Sequence, residues 1–312
     1  METVNCDLCG ANEAEIVFEL RDRLHHINGI FYLVRCRKCG LMYLNPRPTI
    51  EEITRYYPQN YQAYKPIDDH PYHPFSIFAR LDYWYGIRKR CLAVITRSGL
   101  KGGRILDIGC ATGGFLAMMC RLGNWEPYGV EINAEAANYA RQRFGLNVFI
   151  GTLTDAHYPD NFFDIITLWN VLEHLHQPQA TLFEISRIIR AGGLLVISVP
   201  NPDCIEAKIF GQYWAGLDAP RHLYIYSRYT LQRALELAGF TVKEIVSFTG
   251  RYHVLALSLN FLIDDKVPNE RLRTLLKRVV SSPLLRLLTL PYYALVDRWN
   301  QSSVMTVFAK RQ

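Results

Sequence analysis

Apolar runs alternate with helical patterns along the middle of the chain. Between residues 101 and 249, segments whose apolar residues recur every three or four positions separate short aliphatic runs. The predicted elements are a strand at 104–108, a helix at 114–123, a strand at 128–132, a helix at 134–144, strands at 147–150 and 164–169, a helix at 178–189, a strand at 194–199, a helix at 230–238 and a strand at 242–248. Such alternation predicts a doubly wound α/β core whose sheet is mostly parallel and carries helices on both faces.

The segments before this core have other patterns. Residues 14–20 and 30–35 alternate between apolar and polar positions, as the strands of a hairpin do. Residues 46–74 are rich in proline and tyrosine and predict a linker or lid, and a helix is expected at 75–98. The predicted divisions are a cysteine-containing module at 1–45, the linker and leading helix at 46–100, the α/β core at 101–249, a helical insertion at 250–302, and the last core strand and tail at 303–312.

A glycine-rich turn follows the first core strand, in the sequence RILDIGCATGGFL at 104–116. Gly109 and Gly113 lack the β-carbons that would hold backbone amides away from a ligand, and the helix that follows offers unpaired N–H groups. The carboxylate of Asp107 would repel a pyrophosphate but attract the ammonium group of an amino-acid-bearing cofactor. Glu131, 24 positions later, can hold the two ribose hydroxyls. The turn therefore favours S-adenosylmethionine over NAD.

With these residues the chain resembles the class I S-adenosylmethionine-dependent methyltransferases, over residues 90 to 250. The resemblance continues through Gly151-Thr152-Leu153, Phe163-Asp164-Ile165-Ile166 and Val171-Leu172-Glu173-His174. It implies a Rossmann-like sheet of seven strands and places Thr152 and Leu153 beside the adenine. The expected cofactor contacts are Asp107, Gly109, Ala111, Gly113, Glu131, Ile132, Thr152, Leu153 and Asn170.

Candidate catalytic residues follow the fourth and fifth core strands. His174 can accept a proton near neutral pH and Glu173 can orient it, and methyltransferases that this chain resembles carry the same pair. In the loop after the fifth strand, Arg221 is a candidate for gripping an acidic group of the substrate and His222 for a second base. This loop resembles a GLDxPRHxxxxS signature of bacterial methyltransferases that also have four N-terminal cysteines. Purely structural roles for these residues remain open.

Tyrosines of the predicted lid are candidates for substrate contact. Tyr57 and Tyr61 each offer an apolar ring and a hydroxyl, which suits a pocket for a small organic acceptor. The alternative is that they only anchor the linker to the domain beneath it.

Two Cys-x-x-Cys pairs, Cys6 with Cys9 and Cys36 with Cys39, are separated by 26 residues, and each is followed by glycine. Four thiolates complete the tetrahedral shell of Zn²⁺ and leave no open position, so we expect structural zinc rather than a redox pair or an iron–sulfur cluster. Residues 1–48 contain six basic and six acidic side chains. The module is therefore expected to be a scaffold and not a nucleic-acid-binding patch.

Positive charge is concentrated near the C-terminal end. Residues 266–298 contain seven lysines and arginines and two acids, a net charge of +5, which is most of the chain's +6. Apolar segments at 253–263 and 284–295 accompany this charge, and the last core strand is expected only at 303–309. The pattern predicts a helical insertion that docks on an anionic membrane surface, where it would reach a lipid-linked glycan, or one that packs on the core or forms a dimer.

The sequence favours an enzyme that methylates an oxygen or a carbon of a small or glycan-type acceptor. The resemblance implies roles in surface-polysaccharide or secondary-metabolite biosynthesis. Strand four is followed by Asn170-Val171-Leu172 and not by Asn-Pro-Pro-Tyr, which disfavours methylation of a base's exocyclic amine. A zinc-containing RNA methyltransferase and a non-catalytic adaptor that binds the cofactor are the alternatives.

No basic region followed by an apolar run begins the sequence, so we expect a cytoplasmic protein.

Overall fold

The computed structural model describes residues 1–58, 61, 64–65, 76–247 and 252–312, with side chains omitted at 76–82. Much of the predicted lid, including Pro66, Pro71 and Tyr72, and the expected first helical residue Phe75 lie outside the described residues.

The described chain alternates between strands and helices through its core and ends in four helices and a strand. The strands are β1 (Ala14–Leu20), β2 (Phe31–Cys36), β3 (Met42–Leu44), β4 (Gly102–Ile108), β5 (Asn124–Glu131), β6 (Asn147–Ile150), β7 (Phe163–Trp169), β8 (Ile189–Pro200), β9 (Tyr224–Ile225), β10 (Phe240–Val246) and β11 (Val304–Arg311). The α-helices are α1 (Ile50–Ile53), α2 (Ser76–Ser98), α3 (Gly114–Leu122), α4 (Ala134–Phe144), α5 (Pro178–Ile188), α6 (Ile205–Phe210), α7 (Arg228–Leu237), α8 (Tyr252–Lys266), α9 (Glu270–Val280), α10 (Pro283–Leu288) and α11 (Leu290–Arg298).

Seven strands form the core sheet in the order β10-β11-β8-β7-β4-β5-β6. Strand β11 runs antiparallel to both of its neighbours, while β8, β7, β4, β5 and β6 run parallel to one another. The predicted Rossmann-like sheet of seven strands is therefore confirmed. Aliphatic side chains of the central strands, such as Ile105, Ile165 and Ile197, are fully buried because helices cover both faces of the sheet.

Two core strands begin at least four residues earlier than their apolar runs predict. Strand β5 begins at Asn124, where Gly102 pairs with Asn124 across the ladder, and β8 begins at Ile189. Main-chain pairing extends a strand past its buried side chains, so hydrophobic pattern alone places these starts too late. Helix α7 also begins earlier than predicted, at Arg228, because the Ser227 side chain accepts a hydrogen bond from the Thr230 amide and caps the helix there.

The N-terminal hairpin belongs to a second, smaller sheet. Strands β1 and β2 pair antiparallel, as the alternating pattern predicts, and β3 extends the sheet. Strand β9 then pairs with β3, Met42 opposite Ile225 and Tyr43 opposite Tyr224. Since β9 comes from the loop that follows β8, the cysteine module and the core loop share one sheet.

Helices α8 to α11 lie between β10 and β11 in the chain, where the helical insertion was predicted. The amide of Ala215 donates to Ser258 Oγ at 2.9 Å, and the Tyr213 hydroxyl donates to Asp265 at 2.5 Å. An ion pair of 2.6 Å joins Lys277 to Asp264 and so links α9 to α8. The insertion is therefore fastened to the loop that leads from β8 toward Arg221 and His222.

Candidate active site and four-cysteine centre

The predicted cofactor residues lie along the carboxyl ends of neighbouring parallel strands. Asp107 is the penultimate residue of β4, Glu131 ends β5 and Asn170 follows β7. Because β4 lies between β7 and β5, these three residues share one edge of the sheet. That edge is where ligands bind in open α/β sheets.

Asp107 and Glu131 are both buried acids. The Thr167 hydroxyl donates to Asp107 Oδ1 at 2.6 Å, and burial raises the pKa of Asp107 to about 7. Glu131 accepts hydrogen bonds from the amides of Ala111 at 2.9 Å and Asn133 at 2.8 Å, and burial raises its pKa as well. Two carboxyls at this edge suit the ammonium group and the ribose diol of S-adenosylmethionine.

The turn between β4 and α3 has a left-handed backbone at several positions. Gly109 has φ +70° and Gly113 has φ +78°, and an added β-carbon would lie 2.5 Å from a side-chain atom of Val171 or Leu146, respectively. Both positions therefore require glycine. Ala111 also has a positive φ, +46°, which is strained for a residue with a β-carbon, while its amide bonds to Glu131.

Three further predicted cofactor contacts differ in exposure: Ile132, and Thr152 and Leu153, which are expected beside the adenine. Ile132 is 68% exposed although it directly follows the buried Glu131, so it offers an apolar surface at the open edge. Leu153 is buried, and both the amide and the hydroxyl of Thr152 donate to Asp155, at 3.1 and 2.6 Å. These positions are compatible with the predicted adenine contacts, which remain predictions.

Glu173, His174 and His222 come together, although the two histidines stand 48 positions apart in the sequence. A carboxylate oxygen of Glu173 and one ring nitrogen from each histidine all lie within 4.8 Å of one another. The centroids of the two imidazole rings are 4.6 Å apart. Glu173 is fully buried, and Asn170 donates to its Oε1 at 3.3 Å. Its Oε2 has no hydrogen-bond partner within the described part of the chain, and burial raises the pKa of this carboxyl to about 8.

Backbone carbonyls determine the tautomers of the two histidines. Nδ1 of His174 lies 3.0 Å from the Arg221 carbonyl oxygen, and Nδ1 of His222 lies 2.8 Å from that of Gly216. Since a carbonyl can only accept, each Nδ1 carries the hydrogen and each Nε2 keeps a free electron pair. Burial lowers the pKa of both rings, that of His174 to about 3, so both are neutral at pH 7.

The predicted substrate tyrosines lie beside this cluster. The Tyr57 hydroxyl is 3.0 Å from His174 Nδ1, and the Tyr61 ring packs edge-on against Tyr57 at 5.1 Å between centroids. Sequence reasoning missed two neighbours. Tyr64 packs on Tyr61 at 5.3 Å, and His25 of the cysteine module lies 6.0 Å from Tyr61. The tyrosine-rich composition of the segment could have indicated Tyr64, whereas no local signal in the sequence indicates His25.

Arg221 does not have the role that its sequence context predicted. Its side chain is fully buried, and its guanidinium donates to Asp22 at 2.9 Å and to Asp218 at 2.6 Å. It also donates to the Tyr56 carbonyl at 3.1 Å. With its donors already engaged by carboxylates of the protein, Arg221 cannot grip an acidic substrate and instead ties the loop after β8 to the cysteine module.

The four predicted metal-ligating cysteines converge at one point. Their sulfur atoms lie within 4.8 Å of one another, with 3.4 Å between Cys6 and Cys39 and 3.5 Å between Cys9 and Cys36. Four sulfurs at about 2.3 Å from a tetrahedral ion are about 3.8 Å apart, so a small expansion would accommodate the ion. Amides of Gly10 and Gly40 close the two knuckles onto the carbonyls of the first cysteines.

Comparison with known proteins identifies the family. A family model described as a methyltransferase domain matches residues 83–245, more than half of the 312 residues. The chain belongs to the class I S-adenosylmethionine-dependent methyltransferases. The match includes Asp107, Glu131 and the Glu173–His174 pair, but not the cysteine module or helices α8 to α11.

Curated relatives of this methyltransferase match it over about half of its length. The ubiquinone biosynthesis O-methyltransferase of Aromatoleum aromaticum is 32% identical over 193 residues, which cover 54% of this chain and 80% of the relative. The O-methyltransferase cnsE of Penicillium expansum is 26% identical over 47% of this chain and 55% of its own length. The indolepyruvate C-methyltransferase of Streptomyces griseus is 29% identical over 46% of this chain and 48% of its own.

Solved structures show the same fold at low sequence identity. The [4+2]-cyclase SpnF has a TM-score of 0.55 at 17% identity, over 85% of this methyltransferase and 97% of SpnF. The geranyl diphosphate C-methyltransferase of Streptomyces coelicolor, solved with S-adenosyl-L-homocysteine, has a TM-score of 0.52 at 16% identity, over 84% and 98% of the two chains. At these identities the likeness establishes the fold and not the acceptor.

Proposed function

We propose that this methyltransferase acts on an oxygen or a carbon of a small or glycan-type acceptor. The observation that carries the proposal is the cluster of Glu173, His174 and His222, which lies at the same edge of the sheet as Asp107 and Glu131. An acceptor that loses a proton requires a base next to the methyl donor, and this cluster supplies neutral imidazoles there.

In this proposal, Asp107 binds the ammonium group of S-adenosylmethionine, Glu131 its ribose, and Ile132 with Leu153 its adenine. When bound, the cofactor supplies a methyl group on a sulfonium sulfur, and this sulfur becomes a neutral thioether when the methyl group is transferred. His174 Nε2 takes the proton from the acceptor's O–H or C–H bond, and the freed electron pair forms the new bond to the methyl carbon. The Arg221 carbonyl orients the ring, because it holds the Nδ1 hydrogen.

The surroundings of the cluster support a sugar-like acceptor. Tyr57, Tyr61 and Tyr64 offer ring faces on which a pyranose can stack, and the Tyr57 hydroxyl reaches His174. A groove of about 550 Å³ between the loop after β1 and helix α8 is lined mainly by polar side chains, among them Arg21, Asp22 and Asp264. Asp22 also holds Arg221, the neighbour of His222. A glycan that extends from the acceptor site would find hydrogen-bonding partners in this groove, which fits a role in surface-polysaccharide or secondary-metabolite biosynthesis.

Structural zinc at Cys6, Cys9, Cys36 and Cys39 is part of the proposal. Four convergent sulfurs fit the ion and leave it no open coordination position. The zinc would therefore hold β2 and β3 in place beside β9 and take no part in methyl transfer.

The function can be tested by following transfer of a labelled methyl group from S-adenosylmethionine into a fractionated extract of the source cells. The Asp107→Ala variant is the negative control. Label in a glycan, lipid-linked or small-molecule fraction, absent with Asp107→Ala, is the expected result. Label in RNA would replace the proposal by a zinc-containing RNA methyltransferase. Cofactor binding without transfer into any fraction would replace it by a non-catalytic adaptor.

A further inference from the structure

Large apolar side chains are exposed on the last three helices. Nine of the twenty exposed large hydrophobic residues in the described part of the chain fall within 270–299. They are Leu272, Leu275, Val279, Leu284, Leu287, Leu288, Leu290, Leu295 and Trp299. Scattered exposed leucines are normal on a protein surface, but such a concentration over thirty residues marks an interaction site.

On α9 the exposed apolar residues form a stripe with a basic flank. Leu272, Leu275 and Val279 stand three and four residues apart and therefore share one face of the helix. By the same helical spacing, Arg271 and Arg278 border the stripe on one side, whereas Lys277 lies on the opposite face, where it pairs with Asp264 of α8. Leu284, Leu287 and Leu288 repeat the spacing on α10.

Charge distinguishes between the possible partners of this face. The net charge of +5 over 266–298 would meet the same charge on a second copy of the chain, whereas an anionic lipid surface complements it. Long basic side chains beside an apolar stripe can reach headgroups while the leucines enter the acyl boundary. We propose that α9, α10 and α11 lie on the surface of a membrane that contains anionic lipids.

The helices suit a position on the membrane surface. Within the described residues, no single helix is long and apolar enough to cross a membrane, and only α9 taken together with 283–298 has the required length and composition, with a bend of 52° between the two parts. Arg271, Arg278 and Arg286 would be costly inside the hydrocarbon, but they are favourable at the headgroups.

The face is connected to the candidate active site. Helix α8 holds Ala215 through Ser258, and Asp218, Arg221 and His222 follow within seven residues. A membrane-bound enzyme would thus have the loop that carries His222 tied through α8 to its membrane-bound helices. That the acceptor is itself lipid-linked rests on the proposed function, whereas binding to the membrane does not.

Cosedimentation of the full chain with vesicles tests the proposal, without cofactor or acceptor. Vesicles of phosphatidylcholine with about 30% phosphatidylglycerol should bind the protein, pure phosphatidylcholine should bind it weakly, and about 0.5 M salt should release it. The double variant Leu275→Glu/Leu287→Glu should bind the anionic vesicles at least about ten-fold more weakly, because two negative charges enter the apolar face. Helix α7 provides the matched control, Leu237→Glu, at a leucine that is likewise exposed.

Three results would overturn the proposal: no binding to anionic vesicles at low salt, an equal loss of binding in the α7 control, or a dimer in light scattering that Leu275→Glu/Leu287→Glu dissociates. The last result would assign the face to a second copy of the chain. Methyl transfer to a soluble acceptor should be unchanged in the double variant, so failure of membrane binding can be told apart from failure of the proposed function.

Discussion

Asp107 makes cofactor binding depend on pH. Burial raises the pKa of this carboxyl to about 7 in the cofactor-free protein, while an ammonium group needs the ionised form. Below pH 7 the proton must leave before the cofactor binds, so the affinity falls as the pH is lowered. We expect the Kd for S-adenosylmethionine to be about ten-fold higher at pH 6 than at pH 8 in calorimetric titrations. Asp107→Asn should bind weakly at both values, and equal affinities of the parent at pH 6 and 8 would exclude this linkage.

His174 is expected to control turnover and not cofactor affinity. His174→Ala removes the Nε2 electron pair beside the acceptor, so kcat should fall by about 10²- to 10⁴-fold with the Kd of the cofactor unchanged. His157→Asn, at an exposed histidine with a left-handed backbone that asparagine tolerates, is the matched control. Unchanged turnover in His174→Ala would remove this residue as the base.

Arg221 is expected to matter for stability. Arg221→Met leaves Asp22 and Asp218 without their buried partner, which should lower the free energy of unfolding by about 3–5 kcal/mol in urea titrations. Adding Asp22→Asn should recover part of the loss, whereas Arg233→Met on the exposed face of α7 should have little effect. A loss no larger than that of the α7 control would show that the buried pair is not structural.

The placement of candidate site residues was predictable where the signal was local. The glycine turn and Asp107 stand within a few positions of each other, and so do Glu173 and His174. The burial of Arg221 was hidden because Asp22 lies 199 residues away in the sequence and no local pattern links them. His25 was missed for the same reason, since the fold and not the sequence brings it to Tyr61.

At the scale of elements, the pairing of β3 with β9 connects the cysteine centre to the active-site loop. The Leu44 amide donates to the Leu223 carbonyl at 2.9 Å, and the Leu223 amide donates to the Glu173 carbonyl at 2.8 Å. His222 precedes Leu223, so we expect displacement of β3 to move the cluster of Glu173, His174 and His222. The hydrophobic pattern predicted most strands, but not β3 or β9, because runs of three and two residues carry no periodicity.

Loss of one cysteine ligand should therefore impair both metal binding and turnover. Cys39→Ser is expected to weaken zinc binding at least about ten-fold and to lower kcat through a displaced His222. Cys120→Ser, at an exposed cysteine outside the four-cysteine group, is the control and should keep both properties. The measurements are metal content after dialysis and methyl transfer by the same samples. Full activity in metal-free Cys39→Ser would contradict the coupling.

For the whole molecule, the shared sheet implies one cooperative unit. Arg47 of the linker is buried and donates to the Tyr224 hydroxyl at 2.8 Å and to the His176 carbonyl at 3.0 Å, so the two sheets are held together beyond the strand pairing. We expect zinc release, followed with a chromophoric chelator, and loss of the far-ultraviolet signal to occur at the same temperature. Zinc release well before the core unfolds would show that the module melts alone.

The position of β11 in the sheet affects how the chain is made. Strand β11 lies between β8 and β10, yet the ribosome adds it after every other strand of that sheet. Until residues 304–311 leave the exit tunnel, one edge of β8 is unpaired and β10 has no partner among the described strands. The leucines of 270–299 emerge during that interval. A nascent chain of this protein therefore presents an open strand edge and an apolar helical face together, and we expect chaperones or a membrane surface to cover them during translation.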